Sequence, residues 1–308
     1  MRVQIGAIIL VSGLVLRVPT QDPLHAQSAA PERLPSFEVA SVKENISGPG
    51  RTQAITQPGG RFVATNAPLK LLIADAFLGA QPLAPSRVLG GPEWIDSARY
   101  DINAKASAEF QPTPGGPPRE MLLMIRSLLE ERFKLVGHRE TRELPVYELV
   151  VARADGKLGP ELRKSLVDCD ALVAAVRAGG PPPPRQPNQP PPCAAMRGPA
   201  RILSGGIPMQ QFATMLTMAV ADGNGSVARD QGRLVIDKTG LTGRFEFTMS
   251  WTPEQLPTAA PPPGVAPIDP NGPSFFTALQ DQLGLKLQSG KGPVEVVVVD
   301  SVARPTPD

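Results

Sequence analysis

An internal repeat is the feature that most constrains what this chain can fold into. Residues 128–151 carry the pattern of a helix end, a strand, a charged turn and a second strand, and residues 279–299 carry a weaker copy. Earlier segments recur as well: Arg61 and Arg201 begin similar stretches 140 positions apart, and Arg99 has a counterpart 145 positions later. Because these segments recur in one order at a nearly constant offset, we predict two copies of one module.

The spacing of apolar residues assigns the elements inside each copy. Tyr100, Ile102 and Ala104 alternate with polar residues, which predicts a half-buried strand. Leu69 and Leu72 lie one helical turn apart in a run that follows a proline, which predicts a helix. We therefore predict an α+β fold, built from two tandem copies of a strand-helix-strand-helix-hairpin module, with a mixed or antiparallel sheet and helices on one face.

A proline-rich segment separates the two copies. We place the first copy at residues 35–154, the linker at 155–199 and the second copy at 200–304; the spacing leaves open whether the copies are separate domains or share one sheet. The linker holds the only two cysteines, Cys169 and Cys193. An even number of cysteines in an exported chain predicts a disulfide, whereas a metal or redox pair would need further ligands.

The N-terminal residues predict export. Arg2 precedes an apolar run at positions 5–16 that is too short to span a bilayer, which is typical of a secretory signal peptide at residues 1–26. An uncleaved membrane anchor is the alternative, and Arg17 and Pro19 argue against it. We expect a periplasmic or extracellular protein without a transmembrane segment once the signal is removed.

The charge balance argues against a nucleic-acid partner. Removal of residues 1–26 takes away two of the 31 basic and one of the 29 acidic residues, which leaves 29 against 28 and a net charge of +1. Such a chain has no broad basic field for phosphate backbones. We expect its partner to be an extracytoplasmic protein or a small ligand.

The sequence offers binding candidates but no catalytic ones. His138, the only histidine outside the predicted signal peptide, stands where the first strand of the predicted hairpin meets the charged turn 139–143, which holds Arg139 and Arg142. This turn could bind a partner or could simply be solvated. Trp94 could stack on a ligand at the surface, or it could cover the sheet as a core residue. Because His138 has neither a nucleophile motif nor a second histidine beside it, we assign no catalytic residue, no metal and no cofactor.

Carboxylates are the remaining route to chemistry. Asp96 and Asp237 follow isoleucine at matching positions of the two copies, where each would cap a turn. A paired acid site built from the two copies is the alternative. Glu130 and Glu131 lie on the outer part of a predicted helix, where such side chains usually face solvent.

Six segments of the chain together resemble one protein family. That family consists of exported proteins of unknown function, expanded in soil acidobacteria and their relatives, and the resemblance covers roughly residues 35–305. Some relatives resemble the extracellular part of proteins that carry a BlaR-type membrane metallopeptidase, which implies sensing or binding outside the membrane. This chain has no zinc motif, so the peptidase activity is not carried over. The segments are residues 37–43, 60–66, 91–96, 128–151, 237–243 and 283–287.

These observations lead to one expected function and two alternatives. We predict an exported, non-enzymatic binding or interaction protein of unknown ligand, with envelope sensing as one role that it could serve. The alternatives are an extracellular carboxylate-dependent hydrolase and a structural component of the envelope.

Overall fold

Three four-stranded sheets and six helices make up the regular structure in the described part of the chain. The computed structural model describes residues 34–305 apart from residues 49, 80, 82–83, 110–116, 182, 184–188, 191, 222–232 and 257–266. The predicted signal peptide at residues 1–26 lies outside the described residues. No helix in these ranges is long and apolar enough to cross a membrane.

The first half of the chain contains six strands and three helices, together with one turn of 3-10 helix at Ala84–Arg87, within the described ranges. In chain order these are β1 (Val39–Glu44), β2 (Gln53–Gln57), β3 (Arg61–Pro68), α1 (Leu69–Leu78), β4 (Val88–Gly90), α2 (Trp94–Ser97), β5 (Arg99–Lys105), α3 (Arg119–Phe133) and β6 (Val136–Val151).

The second half contains as many strands and helices among its described residues. They are β7 (Arg163–Lys164), α4 (Cys169–Arg177), β8 (Ala195–Gly198), β9 (Arg201–Ile207), α5 (Met209–Ala221), β10 (Val235–Asp237), β11 (Phe245–Ser250), α6 (Phe275–Leu283) and β12 (Leu285–Ser301). The segment predicted as a linker is therefore partly structured, since it supplies β7, α4 and β8.

The strand order confirms the α+β class. The first outer sheet has the order β1-β5-β3-β2 and the second has the order β7-β11-β9-β8, both antiparallel, while the central sheet has the mixed order β10-β6-β12-β4. When β1 to β6 are matched in chain order with β7 to β12, the two outer sheets have the same strand order. This correspondence supports the internal repeat, which stays a prediction together with its boundaries.

The central sheet joins the two halves. Val88 of β4, from the first half, pairs in parallel with Val297 of β12 from the second. Conversely, Val235 of β10, from the second half, pairs in parallel with Tyr147 of β6 from the first. Each half thus contributes a short edge strand that lies beside the long strand of the other half, and the two halves share one sheet.

The hairpins predicted at the end of each copy are wrong. β6 has 16 residues and β12 has 17, each continuous, and they pair with one another antiparallel from Leu285 opposite Val151 to Ser301 opposite Val136. The charged segment 139–143 contains none of the residues that favour a tight turn, and its backbone is paired with β12 instead.

The paired strands β6 and β12 form a long two-stranded ribbon. Each half of the chain has its own apolar core against one end of this ribbon. In the first core, Tyr100 of β5 meets the ring of Phe133 edge-on at 4.9 Å, and Val297 of β12 joins them. In the second core, Phe212 of α5 packs with β11, and Tyr147 of β6 joins. The ribbon is therefore anchored at both ends, while its middle lies between the two cores.

The two helices that lead into the ribbon, α3 before β6 and α6 before β12, terminate in the same way. Lys134 ends α3 with φ of 52°, and Gly284 ends α6 with φ of 69°, so both C-caps are left-handed. A Cβ on Gly284 would lie 2.5 Å from the backbone nitrogen of Gly159, so only glycine fits there. Lys134 has the backbone conformation that favours glycine but retains a side chain.

Candidate functional site

The three charged residues proposed for partner binding lie on an exposed stretch of β6. The His138 Nδ1 atom is 3.0 Å from Oδ2 of Asp300, and Arg142 donates through Nε to Oε1 of Glu140. The hydrogen bond with Asp300 raises the pKa of His138 above its ordinary value. Since side chains alternate along a strand, His138 and Arg142 share one face and Arg139 lies on the other.

These three side chains are already paired with neighbouring carboxylates. Arg139 contacts Glu295 across the ribbon, with Nη1 and Oε1 3.5 Å apart. About half of each of the three side chains is exposed, and neither pocket described below includes any of them. Surface pairs of this kind contribute little to stability, and a binding role for them stays a prediction.

Trp94 lies elsewhere, as the first residue of α2. Its ring is partly buried against the first core, and the guanidinium of Arg304 lies 4.9 Å from the ring centre. Arg304 also contacts Glu44, with Nη1 and Oε1 3.1 Å apart. Among the contacts of the described residues, none joins Trp94 to His138, and the stacking role of Trp94 stays a prediction.

The predicted disulfide between Cys169 and Cys193 is confirmed, with the two Cα atoms 5.5 Å apart. It fixes the start of α4 beside β9, where the Cys193 N–H donates to the carbonyl of Gly205. The bridge therefore holds part of the Pro-rich segment against the second outer sheet. It lines neither of the two pockets.

A cavity lies where the two halves meet at the central sheet. We call it the junction pocket; its volume is about 430 Å³. The first half supplies Gln81 and Arg87, the second supplies Thr214, Thr217 and residues 234–236, and the middle of β12 supplies residues 293–295. The volume falls in the range of about 300–1,000 Å³ that is typical of small-molecule sites.

A small side chain on α5 forms one wall of this pocket. Thr217 is the ninth residue of α5, whereas the ninth residue of α1 is the buried Phe77. The Thr217 hydroxyl accepts a hydrogen bond from the N–H of Val235 at 2.8 Å and donates to the carbonyl of Ala213. These bonds tie β10 to α5, so the wall is held in place without a ligand.

Arg87 places a buried positive charge in the junction pocket. Its residue is only 5% exposed, and it is flanked by Val88 and, three residues earlier, Ala84, both of which lie in the first core. These apolar neighbours hold the backbone of the 3-10 turn against the core and so fix the position of the Arg87 Cα.

The guanidinium of Arg87 is incompletely satisfied. Nη2 donates to Oε1 of Gln81 at 2.8 Å, and Nη1 makes a long contact of 3.4 Å with the carbonyl of Glu295. Among the described residues, no partner lies within hydrogen-bond distance of Nε. Burial lowers the pKa of Arg87, and the nearby Glu295 carboxylate opposes this, but an arginine keeps its charge.

A smaller pocket of about 250 Å³ lies at the far side of the second half, beside Trp251. Two of its polar side chains are bonded to neighbours in the lining: Gln282 exchanges two hydrogen bonds with the backbone of Ser250, and the Thr252 hydroxyl donates to the carbonyl of Asp269. The junction pocket is larger, and both halves of the chain build its walls, so it is the stronger candidate.

The carboxylates considered from the sequence have structural roles. Asp237 accepts hydrogen bonds from the N–H and the hydroxyl of Thr239, which confirms that it caps a turn. Asp96 instead lies within α2 and pairs with Lys70 at 2.8 Å. Burial raises the pKa of the half-buried Asp75 to about 6. No group of three or more His, Cys, Asp or Glu in the described ranges could hold a metal ion.

Sequence reasoning missed Arg87 because the arginine lies in a segment that reads as a Pro/Gly-rich loop. One signal was available. Arg87 directly precedes Val88 and Leu89, two apolar residues that begin a strand, and the matching position before Val235 holds Leu234. An arginine at a position where the other half uses leucine indicates a specific role.

The comparisons with known proteins agree with the resemblance found in the sequence. The family described as "Protein of unknown function (DUF3738)" matches residues 70–302 of the 308-residue chain, well over half of its length. The match includes every residue that lines the junction pocket. Comparison with the curated proteins and with the solved structures gave no match.

Proposed function

This chain belongs to the DUF3738 family, and we propose that it is an exported, non-enzymatic binding protein. In this proposal it holds a small ligand in the junction pocket. One observation carries the proposal: both halves of the chain build the walls of a preformed cavity of about 430 Å³ that combines apolar surface with a few convergent polar groups. Such a combination is the usual form of a small-molecule site.

Two features support export. The apolar run at positions 5–16 is typical of a secretory signal. The bridge between Cys169 and Cys193 is of the kind that forms and persists in an oxidising compartment. A sensing role, which the resemblance to relatives of BlaR-type proteins implies, is one use that ligand binding outside the membrane could serve.

The arrangement of side chains favours binding over hydrolysis. A carboxylate-dependent hydrolase needs two acids that face each other across a cleft. Asp96 and Asp237, the pair suggested by the sequence, are engaged with Lys70 and Thr239 respectively. A structural envelope component would need no small-molecule pocket, so the junction pocket argues against that alternative as well.

A ligand screen tests the proposal on the purified protein. A panel of small organic acids, amides and amines is added in turn, and the unfolding temperature is recorded for three proteins: the wild type, Thr214→Phe and Gln211→Phe. Thr214 is an exposed residue at the pocket wall, so phenylalanine there obstructs the cavity, whereas the exposed Gln211 on the same helix lies outside the pocket lining.

We expect some members of the panel to raise the unfolding temperature of the wild type and of Gln211→Phe, and to leave Thr214→Phe unchanged, because binding to the native state stabilises it. A panel without any stabilising compound, or one that acts equally on Thr214→Phe, would contradict the proposal. Turnover of a bound compound would show that the protein is an enzyme.

A further inference from the structure

We infer that the junction pocket binds a monocarboxylate with a short apolar body, and that Arg87 holds its carboxylate; this inference rests on the proposed function. The Arg87 residue is 95% buried, as only 5% of its surface is exposed, and it lines the cavity. Two of its five N–H groups have partners among the described residues, and Nε has none there.

The chemistry of a buried guanidinium selects the ligand's charge. An arginine removed from water without a carboxylate partner is unfavourable, because the protein does not replace the lost hydration. The planar guanidinium matches a carboxylate in geometry and can bind it through two parallel hydrogen bonds. An anionic ligand would therefore provide the partner that Arg87 lacks.

The Glu295 side chain limits how much negative charge the site accepts. Glu295 lines the pocket with Arg87, and its carboxylate pairs with Arg139, with Oε1 and Nη1 3.5 Å apart. Because Glu295 and Arg139 compensate each other, one negative charge on the ligand neutralises Arg87, whereas a dianion such as phosphate would leave an uncompensated negative charge beside Glu295. A single carboxylate is thus the better match.

The rest of the lining determines the body of the ligand. Leu234, Ile236, Pro293 and Val294 present apolar surface, and Gln81 and Thr214 are polar residues at exposed positions on the wall. The volume of about 430 Å³ would hold on the order of ten water molecules, or an organic molecule of comparable volume. A short aliphatic or aromatic carboxylic acid meets these conditions.

Leu234 gives an independent reason to regard Arg87 as specific. Leu234 directly precedes Val235, which pairs with Tyr147 of the ribbon. Arg87 directly precedes Val88, which pairs with Val297 of the ribbon. A leucine is therefore compatible with the fold at this position. Because the arginine is not needed to form the strand, we assign it to the ligand.

The test uses hexanoate, its neutral analogue hexanamide and inorganic phosphate, each titrated calorimetrically into the wild type, Arg87→Leu and Arg153→Leu. Arg153 is an exposed arginine paired with Asp155, and it is the matched control. The wild type should bind hexanoate at least about tenfold more tightly than hexanamide, which is the scale of a hydrogen bond to a charged group. Arg87→Leu should lose this preference, and Arg153→Leu should keep it.

Each outcome bears on a definite claim. Equal binding of hexanoate and hexanamide by the wild type, tighter binding of phosphate, unchanged hexanoate binding by Arg87→Leu, or no binding of hexanoate would overturn the inference. If the wild type binds hexanamide as well as hexanoate and Thr214→Phe binds neither, the proposed function stands while the carboxylate inference fails. The comparison of hexanoate with hexanamide needs no variant, so it holds even if Arg87→Leu does not fold.

Discussion

Replacement of Arg87 by leucine should stabilise the protein in the absence of ligand. The substitution removes a charge that is 5% exposed and has no carboxylate within ion-pair distance among the described residues. It also introduces a side chain that the matching position, Leu234, already carries. The expected gain follows from three contributions of different sign.

The largest contribution is the desolvation of the guanidinium, for which the effective penalty in proteins is several kcal/mol, here counted as about 4 kcal/mol. Burial of the leucine side chain adds about 1.5 kcal/mol. Against these stand the hydrogen bond of Arg87 to Gln81 and the long contact to the Glu295 carbonyl, together worth about 3 kcal/mol. The sum is a gain of about 2.5 kcal/mol in the free energy of unfolding.

Urea unfolding followed by circular dichroism, together with calorimetric melting, measures this difference. For a domain of this size each kcal/mol corresponds to about 2–4 °C in the unfolding temperature, so we expect an increase of roughly 5–10 °C. Arg153→Leu, which removes only an exposed pair, should leave both quantities unchanged within error. If Arg87→Leu is instead less stable than the wild type by more than about 1 kcal/mol, Arg87 is a structural residue and the argument for an unsatisfied charge is wrong.

Three further predictions concern stability away from the pocket. Burial raises the pKa of Asp75 from 3.8 to about 6, so the folded protein binds this proton more tightly than the unfolded chain does, and stability falls as the pH rises from about 4 to about 6. Asp75→Asn should therefore raise the free energy of unfolding by up to about 3 kcal/mol at pH 7. A gain of the same size at pH 3 would refute this assignment. Replacement of both Cys169 and Cys193 by serine should cost about 3 kcal/mol in urea unfolding, and a loss below about 1 kcal/mol would show that the bridge constrains little. Lys134→Gly should stabilise the protein by about 0.5–1 kcal/mol because φ is positive at this position, whereas Gly284→Ala should destabilise it by more than about 1 kcal/mol. If thermal melts show Lys134→Gly to be destabilising or Gly284→Ala to be stabilising, the two helix ends do not share the left-handed cap.

The elements with strong local periodicity could be predicted from the sequence. The strand at Tyr100, the helix that begins at Leu69 and the α+β class follow from apolar spacing, since each of these elements buries one face of its own residues. The disulfide also followed, because a chain with two cysteines leaves one pairing. These features depend on neighbouring residues or on counting, which a sequence displays directly.

The long ribbon could not be predicted, because strand pairing over about 150 positions is not a local property. The charged segment of β6 interrupts the apolar alternation, which suggests a turn, but its backbone finds partners on β12 instead. The exchange of β4 and β10 between the halves likewise brings distant parts of the chain together.

The candidate site shows the same limit. His138 attracts attention in the sequence as a lone histidine, yet in the structure it is an exposed residue bonded to Asp300. Arg87 attracts none, because its importance comes from burial, and burial depends on the two halves meeting. A charged residue in a loop is ordinary in a sequence, and it becomes a candidate only when the fold removes it from water.

The most direct measurement of the central claim is a titration of hexanoate observed at the arginine Nε–H resonances in a ¹H–¹⁵N correlation spectrum. The resonance of Arg87 is assigned by its absence from the spectrum of Arg87→Leu. We predict that this resonance, which reports on the Arg87 guanidinium, shifts progressively when hexanoate is added and shifts only at concentrations at least about tenfold higher when hexanamide is added, because a carboxylate bonds to the guanidinium N–H groups more strongly than a neutral amide oxygen does. If hexanoate binds while the Arg87 resonance does not move, the ligand does not occupy the junction pocket in the manner proposed.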